Sequence, residues 1–275
     1  MIQTLIEMLS YSFMVRALIV GLLVSVGASL LGVSLVLKRY AMIGDGLSHV
    51  GFGAMAIATA TGFAPLTVTI PVVVAAAFLL LRIRESSKIK GDSAIAMISV
   101  VSLAIGVLVI SLSTGMNTDV CGYMFGSILA MTRDDVYLSI ALCVVVLGLF
   151  ILFYNNIFAV TFDETFARAS GTRAGLYNML IAFLTAITIV LGMRMMGALL
   201  ISVLVVFPAL TSMRLCKQFR TVVITSGVLS VVCFVVGLTL SYLLALPTGA
   251  SVVGVNTVAF LGFTLAGKVR GVIGV

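Results

Sequence analysis

Apolar residues in this chain occur in long runs that are separated by short charged segments. Nine such runs lie near residues 16–37, 43–61, 66–82, 94–113, 135–154, 173–192, 195–213, 220–245 and 250–267. Each run approaches the roughly 20 residues that a helix needs to cross a bilayer. The pattern therefore predicts an all-α, polytopic transmembrane helical bundle with about nine spans, and we interpret residues 1–275 as one transmembrane domain.

The composition excludes most soluble classes of protein. Of 275 residues, 62% are hydrophobic and only 9% are charged, against roughly 25% charged in an ordinary soluble domain. A soluble domain of this composition would expose large apolar patches. The net charge of +7 is spread over short segments and forms no basic face, so we expect no nucleic-acid partner.

The basic residues predict the orientation of the spans. They cluster at residues 38–39, 82–90, 168–173, 214–220 and 268–270, and cytoplasmic loops of membrane proteins collect Lys and Arg. Placing all five clusters inside the cell lets nine spans alternate, with the N-terminus outside and the C-terminus inside. We expect a multi-pass protein of the bacterial cell membrane, in which residues 115–134 lie at the outer face without crossing it.

One predicted span contains a pair of ionisable residues. Asp45 and His49, the only histidine, are four residues apart and therefore share one helix face. If the helix starts near Tyr40 at the inner surface, His49 lies about 13–15 Å deep. Ionisable groups at that depth usually face a bundle interior or a substrate path. A carboxylate and an imidazole suit a divalent transition metal, and two copies of the chain would bring four ligands together.

Other interpretations of this pair and of the chain remain open. Asp45 could cap the helix while His49 donates to a backbone carbonyl. The chain could be an ion-coupled secondary transporter, although such proteins usually contain several buried acids. It could also be a scaffolding membrane subunit without a transport path.

A second feature lies between the fifth and sixth predicted spans. Asp163 and Glu164 favour a helix start, because acidic side chains stabilise the positive N-terminal end. Gly171 fits a C-terminal stop. The intervening residues are Thr165, Phe166, Ala167, Arg168, Ala169 and Ser170. This short cytoplasmic helix is suited to docking on a soluble partner, but it could also be a simple connector.

No ATP site is encoded in the chain. Residues 262–269 approach the phosphate-loop pattern, but Val269 stands where a magnesium-binding hydroxyl is needed. We expect no catalytic residue and no permanently bound cofactor, and we expect the chain to be a transporter rather than an enzyme.

Three segments resemble the permease subunit of metal-type ABC importers, which take up zinc, manganese or iron. They are Leu37–His49 (LKRYAMIGDGLSH), Phe162–Gly171 (FDETFARASG) and Gly197–Ala209 (GALLISVLVVFPA). The first is similar to the family's basic turn followed by a Gly-Asp pair and a His, here Gly44, Asp45 and His49, and the second to its cytoplasmic coupling helix, here residues 161–171.

The resemblance implies an ATP-driven importer in which the permease forms a homodimer. A soluble ATPase would bind each cytoplasmic face, and an extracellular metal-binding protein would deliver the ion. Asp45 and His49 would line the transit site, and residues 163–171 would transmit the motion of the ATPase. The run Leu47–Gly53 looks more like the zinc-uptake branch, so we expect zinc as the cargo, with manganese or iron as the alternative.

Overall fold

The computed structural model describes residues 10–86, 91–113 and 133–269, and within these ranges all regular structure is helical. The predicted all-α class is confirmed. In chain order the helices are α1 Ser12–Leu37, α2 Ile43–Ala60, α3 Pro65–Ser86, α4 Gly91–Leu112, α5 Arg133–Leu152, α6 Tyr154–Phe162, α7 Glu164–Ala169, α8 Ala174–Met196, α9 Ala198–Met213, α10 Phe219–Leu244 and α11 Thr248–Val269.

The helices differ in how well they suit a bilayer. Six in the described ranges, α1, α3, α4, α8, α10 and α11, are long and apolar enough to cross it, or seven if the bent pair α5–α6 forms one span. The sequence predicted nine. The difference lies in α9, which has 16 residues, and in α2, whose 18 residues include Asp45 and His49.

The fifth predicted span agrees with the structure. We expected a helix over 135–154, and α5 spans Arg133–Leu152. The sequence did not predict α6, which begins at Tyr154 and lies at an angle of 69° to α5. The predicted outer-face segment 115–134 lies almost entirely outside the described residues.

Helix α1 is central to the bundle and packs against α5, α8, α9 and α10. Two serine hydroxyls of α10 bridge to its backbone: Ser230 donates to the carbonyl of Ser25 at 2.9 Å and Ser226 to that of Ser29 at 3.3 Å. Such small polar residues join apolar helices closely while satisfying their own hydrogen-bonding groups.

Several basic residues meet at one end of the bundle, which we call the basic end and define by Lys38, Arg168 and Lys217. The Lys38 ammonium lies 3.5 Å from the Glu164 carboxylate, which also binds Arg168. The ring of Phe219, two residues after Lys217, lies 4.9 Å from that of Phe158 in α6. Three basic segments that are far apart in the sequence therefore occupy the same end of the protein.

Candidate functional site

The Asp45–His49 pair lies in the first two turns of α2. Asp45 is in the first turn, where the helix dipole favours a negative charge. The N-cap position is Met42, which makes no side-chain capping bond. Asp45 therefore does not cap the helix in the sense of the alternative interpretation.

The two side chains face each other along the helix. His49 Nε2 lies 3.5 Å from Asp45 Oδ1. His49 Nδ1 is buried and has no hydrogen-bond partner among the described residues. With Nε2 facing Asp45 and Nδ1 without a partner, His49 donates to no backbone carbonyl among the described residues.

The exposure of the side chains along α2 distinguishes the same two residues from their neighbours. From Ile43 to Ala56 every residue of the helix is buried except Asp45 and His49. The Asp45 side chain is 49% exposed and that of His49 is 17% exposed. Among the described residues, the only face of this stretch that is left uncovered is thus the face that carries the carboxylate and the imidazole.

Tight packing holds α2 in place behind that face. A Cβ atom at Gly53 would lie 2.7 Å from the carbonyl oxygen of Ser102 in α4, and one at Gly46 would lie 2.6 Å from the Ile95 side chain. Only a residue without a side chain permits this approach. The orientation of the Asp45–His49 face is therefore determined by contact with α4.

No third ligand stands next to the pair within the part of the chain that is described. No group of three or more His, Cys, Asp or Glu side chains in that part could hold a metal ion. One subunit thus offers a carboxylate and an imidazole, a combination suited to transition metals but too few ligands for a tight site.

The segment 163–171 forms the short helix α7 with a defined start and stop. Asp163 Oδ1 accepts hydrogen bonds from the Phe166 amide at 2.9 Å and from the Thr165 hydroxyl at 2.6 Å. These bonds lower the pKa of Asp163. At the other end, Gly171 has a φ of 88°, a left-handed conformation that favours glycine.

The side chains of this segment divide into an anchor and an exposed surface. Ala167 is buried against Val160 and Ala174. Phe166 is 70% exposed, and Thr165, Arg168, Ala169 and Ser170 are also exposed. A helix that is anchored by one alanine and presents an aromatic ring to its surroundings has a surface suited to a partner.

Glu164 connects this segment to α1. Its carboxylate binds Arg168 at 2.6 Å and lies 3.5 Å from Lys38, whose ammonium also donates to Asn178 of α8. Burial raises the pKa of Glu164, but Asn178, Arg168 and Lys38 outweigh it and the pKa is lowered overall. Glu164 is therefore held as a carboxylate.

This network was not predicted from the sequence. Lys38 served there as a topological signal and as part of the basic turn, and Asn178 had no assigned role, because residues 38, 164 and 178 meet only through the fold. Lys38 lies seven residues before Asp45 in the sequence. The intervening turn contains Arg39 in a left-handed conformation, with a φ of 60°, and leads directly into α2. Lys38, the residue through which α1 contacts α7, thus lies only a few positions before the helix that carries Asp45.

Comparisons with known proteins agree with this architecture. Residues 10–266 match the ABC 3 transport family. The chain is 32% identical to the "Probable iron transport system membrane protein" of Haemophilus influenzae, covering 95% of this chain and 92% of that one. It is 29% identical to the "Manganese import system permease protein ScaB" of Streptococcus gordonii, covering 98% of each.

A solved structure has the same fold. PsaBC from Streptococcus pneumoniae, in complex with Fab, superposes with a TM-score of 0.85 at 26% identity, covering 96% of this chain and 95% of that one. The chain therefore belongs to the ABC 3 transport family, the metal-type ABC permeases that its motifs resemble. It is a multi-pass membrane protein and a transporter subunit rather than an enzyme.

Proposed function

We propose that this chain forms the translocation path of an ATP-driven importer and that Asp45 and His49 bind a divalent transition metal in transit. The observation that carries this proposal is the exposure of α2, which is buried from Ile43 to Ala56 except at these two side chains. Placing an ionisable pair inside an apolar bundle costs free energy, and such residues typically line a substrate or ion path. Two ligands hold an ion weakly, which suits a protein that must release it.

A homodimer would complete the site. Two copies that face each other across α2 would bring together two carboxylates and two imidazoles, the usual number of ligands for zinc. The exposed side of Asp45 supports this arrangement, because the described residues of one subunit leave it uncovered. We propose nine crossings, including α2 and α9, with the N-terminus outside and the basic end in the cytoplasm.

A soluble ATPase would dock on residues 163–171 at the basic end. Phe162 is 68% exposed and Phe166 is 70% exposed, and apolar rings of this kind are typical anchors of protein interfaces. The contact of Glu164 with Lys38 would transmit the ATPase motion to α1 and, through the following turn, to α2. An extracellular metal-binding protein would deliver the ion on the opposite face.

We propose zinc as the cargo, because residues 47–53 resemble the zinc-uptake branch of the family. Manganese or iron is the second candidate, because relatives of this chain are named as manganese or iron transport systems. Carboxylate and imidazole ligands serve all three ions.

A whole-cell metal inventory tests the proposal. The gene is deleted and restored as wild type, Asp45→Ala, His49→Ala or Ile57→Ala, and zinc, manganese and iron are measured together under metal limitation. Ile57 is an exposed residue further along the same helix and serves as the matched control.

We expect one metal to fall on deletion and to be restored by wild type and Ile57→Ala but not by the two site variants. Equal restoration by His49→Ala and wild type, at equal amounts of membrane protein, would remove the ligand role. Uptake that persists without any ATPase would favour a secondary transporter. If no metal falls in a strain without a parallel importer, the scaffold interpretation is favoured.

A further inference from the structure

A large groove opens at the basic end, away from the Asp45–His49 pair. It has a volume of about 990 Å³ and lies between the α5–α6 bend and the first turns of α10. Its apolar wall includes Leu30, Phe150 and Phe158, and its rim carries Lys217 and Arg220. This volume is at the upper end of the ~300–1,000 Å³ range of ligand sites.

The groove changes character along its length. Lys217 and Arg220 are exposed at the basic end, and none of the described side chains that line the groove is acidic. The opposite part is apolar and opens along α10, where Ile224 is 57% exposed. Val228 and Val232, one and two turns further on, are exposed on the same side. The groove therefore has two cations at one end, and a continuous apolar surface of α10 extends away from them.

With the basic end at the cytoplasmic membrane surface, as proposed above, helix geometry places the apolar part of the groove below that surface. Leu30 lies eight residues before Lys38 in α1, which corresponds to about 12 Å along the helix axis. Ile224 lies four residues after Arg220, or about 6 Å further from the basic end. A water-soluble partner does not enter the hydrocarbon region at that depth, whereas an acyl chain does.

The walls of the groove are held by aromatic contacts. The Phe219 ring lies 4.9 Å from Phe158 and 5.7 Å from Tyr154, measured between ring centroids. Phe219 itself is buried. These rings join the start of α10 to α6, so a molecule seated in the groove would contact both α6, which leads to α7, and the start of α10, where the two cations lie.

We propose that this groove binds an anionic phospholipid of the cytoplasmic leaflet. The headgroup phosphate lies between Lys217 and Arg220, and one acyl chain follows Phe158, Ile224 and Val228. Basic pockets between membrane helices on the cytoplasmic side are suited to anionic headgroups. The lipid is a structural ligand of the permease and is independent of the identity of the transported metal.

Photocrosslinking in the assembled importer tests the site. The permease with its ATPase is reconstituted in bilayers that contain phosphatidylglycerol with a diazirine in the acyl chain, and the adducts are located by mass spectrometry. A phosphatidylcholine probe with the same chains reports labelling that does not depend on headgroup charge. Variants are Lys217→Gln/Arg220→Gln, the charge-conserving Lys217→Arg/Arg220→Lys, and Arg82→Gln/Lys268→Gln.

We expect the phosphatidylglycerol adducts to concentrate on the peptides around Phe158 and Ile224. Their yield should fall at least fivefold in Lys217→Gln/Arg220→Gln, which corresponds to a loss of about 1 kcal/mol of lipid-binding free energy. The charge-conserving variant should label like wild type. The third variant removes two exposed cations outside the groove and should also label normally, which excludes an effect of net charge alone.

Three results would overturn the proposal. Labelling of the groove to the same extent by both headgroups would show nonspecific contact with the bilayer. Unchanged labelling in Lys217→Gln/Arg220→Gln would remove the two cations from the site. Adducts that appear in the permease alone and vanish when the ATPase is added would identify the groove as a protein interface.

Discussion

Replacing Gly53 by alanine tests whether the packing of α2 sets the candidate metal site. The added Cβ atom would lie 2.7 Å from the Ser102 carbonyl oxygen, whereas ordinary van der Waals contact begins near 3.4 Å. The difference, 3.4 − 2.7, requires α2 and α4 to separate by about 0.7 Å. The obstacle is backbone, which cannot rotate away as a flexible side chain could.

The expected cost follows from this displacement. Overpacking of this kind lowers the free energy of unfolding by about 1–3 kcal/mol. The shift also exceeds the ~0.5 Å within which a binding constellation must be held. We therefore expect Gly53→Ala to lower both the thermal stability of the permease and its metal uptake, with uptake reduced even at temperatures where the protein remains folded.

A matched substitution separates packing from the general effect of changing glycine to alanine. A Cβ atom at Gly254 in α11 meets nothing within 4 Å. Gly254→Ala should therefore be neutral, or stabilising by up to about 1 kcal/mol through its greater helix propensity. Both variants are compared by thermal unfolding in detergent and by uptake of radioactive metal into vesicles. If Gly53→Ala unfolds and transports as Gly254→Ala does, the reasoning about the α2–α4 contact is wrong.

Two further predictions concern the basic end. Lys38→Gln and Glu164→Gln should each lower metal uptake per ATP hydrolysed, because their 3.5 Å contact joins α7 to α1. The double variant should lose no more than the more affected single variant, and simple addition of the two losses would show that the residues act separately. The second prediction concerns Asp163, whose pKa is lowered in the folded protein. The Asp163 cap therefore stabilises α7 fully at pH values above the unfolded carboxyl pKa, about 3.9. This stabilisation is lost as the pH falls through the lower pKa of the folded state. Hydrogen exchange at the Phe166 amide should increase in that acidic window in wild type. Asp163→Asn should show no such step, and an identical step in both proteins would exclude Asp163 as its source.

Local features of the site could be predicted because they depend on neighbours in the sequence. The i, i+4 spacing of Asp45 and His49 places them together on any helix. The short helix after Asp163 follows from an acidic start and a glycine stop, and the structure begins it at Glu164 with Asp163 as the N-cap. The long hydrophobic runs similarly predict α3, α4, α10 and α11 to within a few residues.

Features that depend on distant contacts could not be predicted. No charge or proline marks the bend between α5 and α6, so nothing in the sequence indicated α6 or its direction. The contact of Lys38 with Glu164 joins residues 126 positions apart. The groove beside Phe219 exists because α6 folds back onto the start of α10.

The sequence by itself determined that this chain is a helical membrane protein with a single Asp–His pair, because long apolar runs must avoid water and because a spacing of four residues defines a helix face. Which face of α2 remains open depends on the fold, since α3, α4, α8 and α9 bury the others. The fold also decided which basic residues meet Glu164 and which line the groove. Hydrophobic burial has no direction, so the apolar runs predict which segments become membrane helices but not how these helices pack. Close contacts of glycines, rings and charges determine that arrangement.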